Sequence, residues 1–160
     1  MPKRGLRAAL MTPILRLTHV YWRFARGLTL GVRAVVIDGE GRILLVKHRY
    51  IAGWHLPGGG VEAGESLLQA LTRELSEEAG IELVGAPALH GIYYYPLYSK
   101  RDHVALFVVR SFRQASSPPR SLEISDHGFF APASLPDGTT AGTGTRIAEV
   151  LSGVAPPERW

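Results

Sequence analysis

GGGVEAGESLLQALTRELSEEAGI, residues Gly58 to Ile81, reads as a glycine-rich loop, a helix and a glycine stop. Ser66 is a favourable N-cap, and Gln69 three residues on completes a capping box in which each side chain satisfies an orphan backbone donor. Gly80 suits the left-handed position after the last helical turn, where Ile81 can fold back onto Leu75. Between these caps Leu68, Leu71, Leu75 and Ala79 recur at helical spacing and are expected to face a core. Glu74, Glu77 and Glu78 share a neighbouring face.

Like charges at these spacings repel by roughly a few tenths of a kcal/mol per pair, and Glu77 and Glu78 also lie near the negative end of the helix. A compensating cation is expected. A hard divalent ion fits, because magnesium prefers oxygen ligands, keeps several waters and is usually shared between a few carboxylates and substrate phosphates. Taken alone, the cluster reads sooner as a solvated acidic face.

From Gly59 onward the residues follow the pattern G-x5-E-x7-R-E-U-x-E-E-x-G-U, with U a bulky aliphatic residue, without a departure. The segment resembles the signature box of the Nudix hydrolases, with looser similarity at Trp54, Leu56 and Pro57 before it and Phe129, Phe130 and Ala131 after it. The resemblance implies that Glu77 and Glu78 bind Mg2+ or Mn2+, that Glu74 is a further ligand or the general base, and that Arg73 orients a carboxylate by ion pairing. It also implies a metal ligand from the Gly58 carbonyl. Glu65 would support the junction of loop and helix, since metal-binding carboxylates need fixed orientations. Many Nudix proteins place an acidic residue beyond the box as ligand or base. Glu123 is the better match here and Asp126 the second.

A chain of 160 residues with 46% hydrophobic and 20% charged residues has the material for one folded domain. It contains no cysteine, which excludes disulfides, thiol nucleophiles and cysteine-ligated metals and is compatible with a cytoplasmic location. The net charge of +4 is uneven: residues 1–27 hold six basic side chains and no acid, leaving 12 basic against 14 acidic in the remainder. The excess charge belongs to an N-terminal arm, so a stable nucleic-acid complex is not expected of the body.

In that arm Thr12 and Pro13 suit the N-cap and first position of a helix running to about Arg26. Leu10, Ile14, Leu17, Tyr21 and Phe24 fall on one side, and Arg16, His19, Arg23 and Arg26 on the other. Such a helix either docks on its own domain or on a second subunit, giving a homodimer, or lies on an anionic membrane surface through Trp22 and Phe24. Docking is the preferred reading. Arg16 and Arg23 interrupt every apolar run before it reaches the length of a signal peptide, and no stretch is long enough to span a bilayer.

Residues Leu28 to Asp38 and Arg42 to His48 are β-rich and joined by Asp-Gly-Glu-Gly, a hairpin-like signal. Lys47, His48 and Arg49 end the second run just before the Gly53–Gly60 loop, either facing substrate phosphates or facing solvent. Trp54 reads first as a packing residue and second as a stacking platform. Leu89 to Tyr95 and His103 to Phe112 read as two further strands. Tyr93, Tyr94, Tyr95 and Tyr98 offer aromatic faces for a nucleobase, or simply coat a sheet. His103 is a possible phosphate contact or proton shuttle, although a histidine at a strand start usually has no such task. Gln114 to Ser121 reads as a polar loop, His127 to Ala131 as a short strand, Pro132 to Leu135 as a helical turn, and Thr145 to Leu151 as the heart of a last helix.

The expected architecture is α/β. A basic amphipathic extension covers 1–27, and 28–160 forms a Nudix-type α/β/α sandwich around a mixed sheet. The resemblance implies Mg2+-assisted, or Mn2+-assisted, hydrolysis of a pyrophosphate bond in a nucleoside diphosphate linked to another moiety, such as a nucleoside triphosphate or ADP-ribose. Glu74, Arg73 and Glu123 are the catalytic candidates; Glu74, Glu77, Glu78 and Gly58 hold metal; Arg49, Trp54, Gly59, Tyr95 and His103 contact the nucleotide. Three alternatives stay open: a nucleotide-sensing binding module, an RNA 5′-end pyrophosphohydrolase using the basic arm, and an isoprenyl-diphosphate isomerase. The last is disfavoured because such enzymes lean on a reactive cysteine.

Overall fold

The computed structural model describes residues 27–97, 99–115 and 123–160. The N-terminal helix expected to end near Arg26, Tyr98 and most of the expected 114–121 loop lie outside the described residues. The elements, in order, are strands β1 (Thr29–Val36), β2 (Ile43–His48) and β3 (Trp54–His55), helix α1 (Leu67–Ala79), strands β4 (Ile81–Leu83), β5 (Ala88–Tyr94), β6 (Asp102–Val109), β7 (Phe112–Gln114) and β8 (Ile124–Phe130), a 3-10 turn (Pro132–Ser134), and helix α2 (Ala141–Ser152).

One sheet has the order β1-β6-β5, with β1 parallel and β5 antiparallel to β6; the second has the antiparallel order β3-β2-β8; β4 and β7 form a separate ribbon. The alternation along β1 decides what each face carries, because successive strand side chains point to opposite sides. Val32, Ala34 and Val36 pack with Leu71, Leu75 and Ala79 of α1 and with Ala105 and Phe107 of β6. Val35 packs in a second cluster with Ile43, Leu45, Leu106 and Ile147 of α2. The result is an α/β/α sandwich.

The helix α1 starts and stops where its residues require. Ser66 Oγ accepts the Gln69 N–H at 3.2 Å while Gln69 Oε1 accepts the Ser66 N–H at 2.8 Å, and Gly80 takes φ 63° with its N–H on the Leu75 and Ser76 carbonyls. The buried stripe differs from the expected one at its first turn. Leu68 is 48% exposed, and Leu67 packs on the core instead. The stripe is centred between Leu71 and Glu78, so position 67 projects toward the sheet and position 68 toward solvent.

The hairpin expected across Asp38–Gly41 is limited to one turn. Gly41 N–H bonds the Asp38 carbonyl at 3.0 Å and Ile37 bridges Ile43, but β1 and β2 then part into different sheets. Each strand takes a nonlocal partner, β6 for one and β8 for the other. The strand expected over His103 to Phe112 is two strands, β6 ending at Val109 and β7 starting at Phe112 to pair with β4. Among the described residues no helix is long and apolar enough to cross a membrane.

Candidate active site

The glycine loop is stitched to the free edge of β1. Val32 N–H bonds the Gly59 carbonyl at 2.9 Å, Ala34 N–H the Pro57 carbonyl at 3.0 Å, and Val61 N–H the Leu30 carbonyl at 2.9 Å. Gly58 sits at φ 132°, and a Cβ there would collide with the Val32 carbonyl oxygen. Only glycine meets both demands. This fixes the loop against the C-terminal turns of α1.

Three carboxylates of α1 have three different environments. Glu78 is 8% exposed and its Oε2 accepts the Gly58 N–H at 2.7 Å. Burial pushes its carboxyl up to about 7, opposed by the Gly58 hydrogen bond and the Arg33 charge and assisted by the nearby Glu74 and Glu123. Glu74 Oε1 lies 2.7 Å from Arg73 Nη1. Glu77 reaches outward, its side chain 61% exposed and 3.5 Å from Arg73.

Arg73 organises the junction. Its Nε and Nη2 grip both oxygens of Glu65 at 3.0 Å, and Nη2 also bonds the Gly60 carbonyl at 3.0 Å. This planar fork, which a lysine cannot reproduce, ties loop to helix. The pairing with Glu65 and Glu74 raises the Arg73 pKa, and the guanidinium holds the Glu65 carboxyl below its ordinary value. Gly59 is placed for a related reason: a Cβ there would overlap the Glu74 carboxylate. Its backbone therefore lies against a candidate metal ligand.

Glu123, just before β8, comes to the same end of the sheet. Its carbonyl accepts the Arg49 N–H at 2.9 Å and its Oε2 the Tyr50 hydroxyl at 3.2 Å, and its charge is felt by both His48 and Glu78. Asp126 belongs to β8 rather than to a loop; it pairs with Lys47 and bonds its own neighbour, His127 N–H, at 2.8 Å. The Arg49 side chain is exposed beside this region.

Two residues expected to contact substrate lie outside the lining of the pocket. Trp54 is 8% exposed and packs in the core against Phe130, so its ring is committed to the interior. His103 contacts the Tyr94 ring, and its neighbour Val104, not His103, lines the pocket described below. Strand alternation turns it to the other face. The Gly58 carbonyl, expected as a metal ligand, accepts a hydrogen bond from Arg33 Nη1 in this arrangement. Tyr95 is part of the pocket wall.

Arg33 and His48 complete the site. Arg33 Nη1 also bonds the Leu56 carbonyl at 3.2 Å. His48 Nε2 lies 3.7 Å from Glu78 Oε1, its side chain is 8% exposed, and its Nδ1 is buried without a hydrogen-bond partner. Burial lowers the His48 pKa. Both line a cavity of about 430 Å³ that also reaches Leu56, Tyr95, Thr140 and Trp160. The signal for Arg33 was present in the sequence: a cation at the same strand parity as the core residues Val35 and Ile37. Trp160 had none, because it arrives from far along the chain.

The donor set suits a hard cation. Glu78 is buried and Glu74 half-buried, and both offer carboxylate oxygens of the kind a divalent ion takes. Among the described residues no three His, Asp or Glu side chains are gathered closely enough to cage an ion. A cation shared with waters and substrate phosphates needs no such cage.

Comparison with known proteins agrees with this geometry. Over 76 residues the chain is 37% identical to the Bacillus subtilis protein named "Putative 8-oxo-dGTP diphosphatase", covering 48% of this chain and 50% of that protein. It is 37% identical over 82 residues to the ADP-ribose pyrophosphatase of Methanocaldococcus jannaschii, covering 47% and 48%. The chain thus spans about half the length of these curated relatives. The MutT NUDIX hydrolase of Burkholderia pseudomallei superposes with a TM-score of 0.63 at 28% identity, covering 76% of this chain and 97% of that one. A model of the NUDIX domain matches residues 27–149, a span that contains both sheets, the carboxylates of α1 and most of α2, and the chain belongs to the NUDIX family.

Proposed function

We propose that this protein is a divalent-metal-dependent hydrolase that cleaves the pyrophosphate bond of a nucleoside diphosphate carrying a further group. The observation that carries the reading is the pairing of two differently held carboxylates, Glu78 buried on the Gly58 N–H and Glu74 braced by Arg73, with Glu78 lying 3.7 Å from His48, which lines the pocket. Glu74, Glu77 and Glu78 would hold Mg2+ or Mn2+. When bound, the ion would neutralise the diphosphate and lower the pKa of an attacking water.

The chain's own groups do the rest. Arg73 keeps the Glu74 carboxylate oriented through a fork anchored on Glu65 and Gly60. Arg33 clamps the loop carbonyls and places a positive charge between the carboxylates and the pocket. Glu123, bonded to Tyr50, and Glu74, bonded to Arg73, are the two candidates to take the proton from water. Of the two, Glu123 is the exposed one and can pass a proton directly to solvent, so it is the preferred base. The relatives named for 8-oxo-dGTP and ADP-ribose support a nucleotide substrate.

The test is release of phosphate, diphosphate or nucleoside monophosphate from a panel of nucleoside triphosphates and nucleoside diphosphate derivatives, with and without Mg2+ or Mn2+. Turnover should require the ion and fall by about a thousandfold or more in Glu78→Gln. Tight nucleotide binding without turnover in the wild type would replace this reading with a binding module.

A further inference from the structure

We infer that Trp160 is a specificity-determining residue, the wall on which the planar base of the nucleotide stacks. The inference rests on the proposed nucleotide reading. Trp160 reaches the pocket because residues 154–160 leave α2 and run back along β5. Tyr94 N–H bonds the Glu158 carbonyl at 2.8 Å, Trp160 N–H bonds the Tyr94 carbonyl at 3.2 Å, and Arg159 bridges Tyr94 in parallel. This strap extends the β1-β6-β5 sheet at its outer edge.

The indole is held in one plane. Its ring meets Tyr93 at 5.4 Å and Tyr95 at 5.5 Å, both edge-on, and the Arg146 guanidinium stands 5.7 Å from its centroid. Arg146 is itself fixed, with Nη2 3.2 Å from Glu149 Oε2 and Nη1 3.4 Å from the Arg159 carbonyl. Glu149 Oε1 in turn accepts the Tyr93 hydroxyl and lies 2.9 Å from His90 Nε2. A buried polar network of this kind positions a side chain more tightly than apolar contact alone, even with Arg146 Nε buried without a hydrogen-bond partner. The indole also rests on the first turn of α2: a Cβ at Gly142 would stand 2.6 Å from its Nε1. The absence of a side chain at 142 makes room for the ring.

The walls of the cavity say what it takes. Trp160 and Tyr95 are aromatic, Leu56 and Val104 are apolar, and among the described residues no Asp or Glu lines it. A flat heterocycle suits such walls, whereas a sugar rich in hydroxyls or an amine would look for carboxylate acceptors. Arg33, also in the wall, grips the loop beside Glu78, so a base in the cavity leaves its diphosphate directed to the carboxylates.

The experiment compares nucleoside triphosphates with a base-free deoxyribose triphosphate in wild type, Trp160→Leu and Gly142→Ala. The second variant keeps the indole and displaces it. Base–aromatic stacking corresponds to about a fivefold to hundredfold preference. The ratio of kcat/KM for base-bearing over base-free substrate is expected to fall at least about fivefold in both variants, chiefly through KM. A ratio unchanged in both would overturn the inference while leaving the hydrolase reading intact. Independently, nucleoside monophosphates added in EDTA should quench tryptophan emission in the wild type and much less in Trp160→Phe, a readout that does not need turnover. Equal quenching in both proteins would also overturn the assignment. Absence of wild-type hydrolysis with quenching lost in Trp160→Phe would overturn the hydrolase reading and keep this one.

Discussion

Glu78 is where the chemistry of single residues is most exposed to measurement. Its carboxyl is pushed up to about 7 by burial, above the unfolded value near 4.5, so in the metal-free protein it contributes stability at acid pH that is lost as pH rises through about 7. In EDTA, wild type should lose on the order of 2 kcal/mol relative to Glu78→Gln between pH 5.5 and 8.5, read from paired denaturant melts. Parallel pH dependence in the two proteins would count against a buried, proton-holding Glu78. Gly59 offers the complementary case. An alanine there meets the Glu74 side-chain carboxylate first and not backbone, so Gly59→Ala should keep its melting temperature within a few degrees while kcat drops about tenfold or more. At this scale the sequence was informative: the box placed Glu74, Glu77, Glu78, Arg73 and Glu65 around one junction. It was silent on the Arg33 hydrogen bond to the Gly58 carbonyl, because a side chain's reach across a loop depends on tertiary geometry and not on spacing.

At the scale of elements, α1 shows how much local chemistry can specify. Both halves of the Ser66–Gln69 box form and Gly80 adopts the left-handed cap. Ser66→Ala should cost about 1 kcal/mol in a denaturant melt, and Ser66→Asp much less. Equal losses in both would mean that the cap is replaced by solvent. The strands were less legible. The β1 and β2 runs were readable from their composition, yet their partners were not, since each pairs with a strand that lies tens of residues away. Turn chemistry at Asp38–Gly41 suggested a hairpin, and the longer-range pairings with β6 and β8 prevailed over it beyond the first bridge. Leu68 failed as a core residue because one helical turn of periodicity leaves the direction of a stripe uncertain by about a residue.

Among the described residues, the buried apolar side chains all fall between Val32 and Ile147. The family match over 27–149 covers the same span. A chain beginning at residue 27 is therefore expected to melt cooperatively and to hydrolyse the proposed nucleotide substrate within about twofold of the full chain, as read by calorimetry and steady-state kinetics. A truncated protein that folds but loses most of its turnover would instead place part of the site in the basic segment. The α/β/α layering was accessible from the box resemblance, whereas the pocket wall at Thr140, Gly142 and Trp160 was not, being assembled from a helix start and a returning strap with no chemical motif of their own.

The stitching of the Pro57–Val61 loop onto β1 also makes the site a clasp between two sheets, since the same loop continues from β3 in the other sheet. Anything that tightens this clasp adds its binding free energy to the cohesion of both layers at once. Bound nucleotide should therefore slow amide exchange at Val32, Ala34 and Val61 and also deep within β2 and β6, and the protein should report its ligand as a single body.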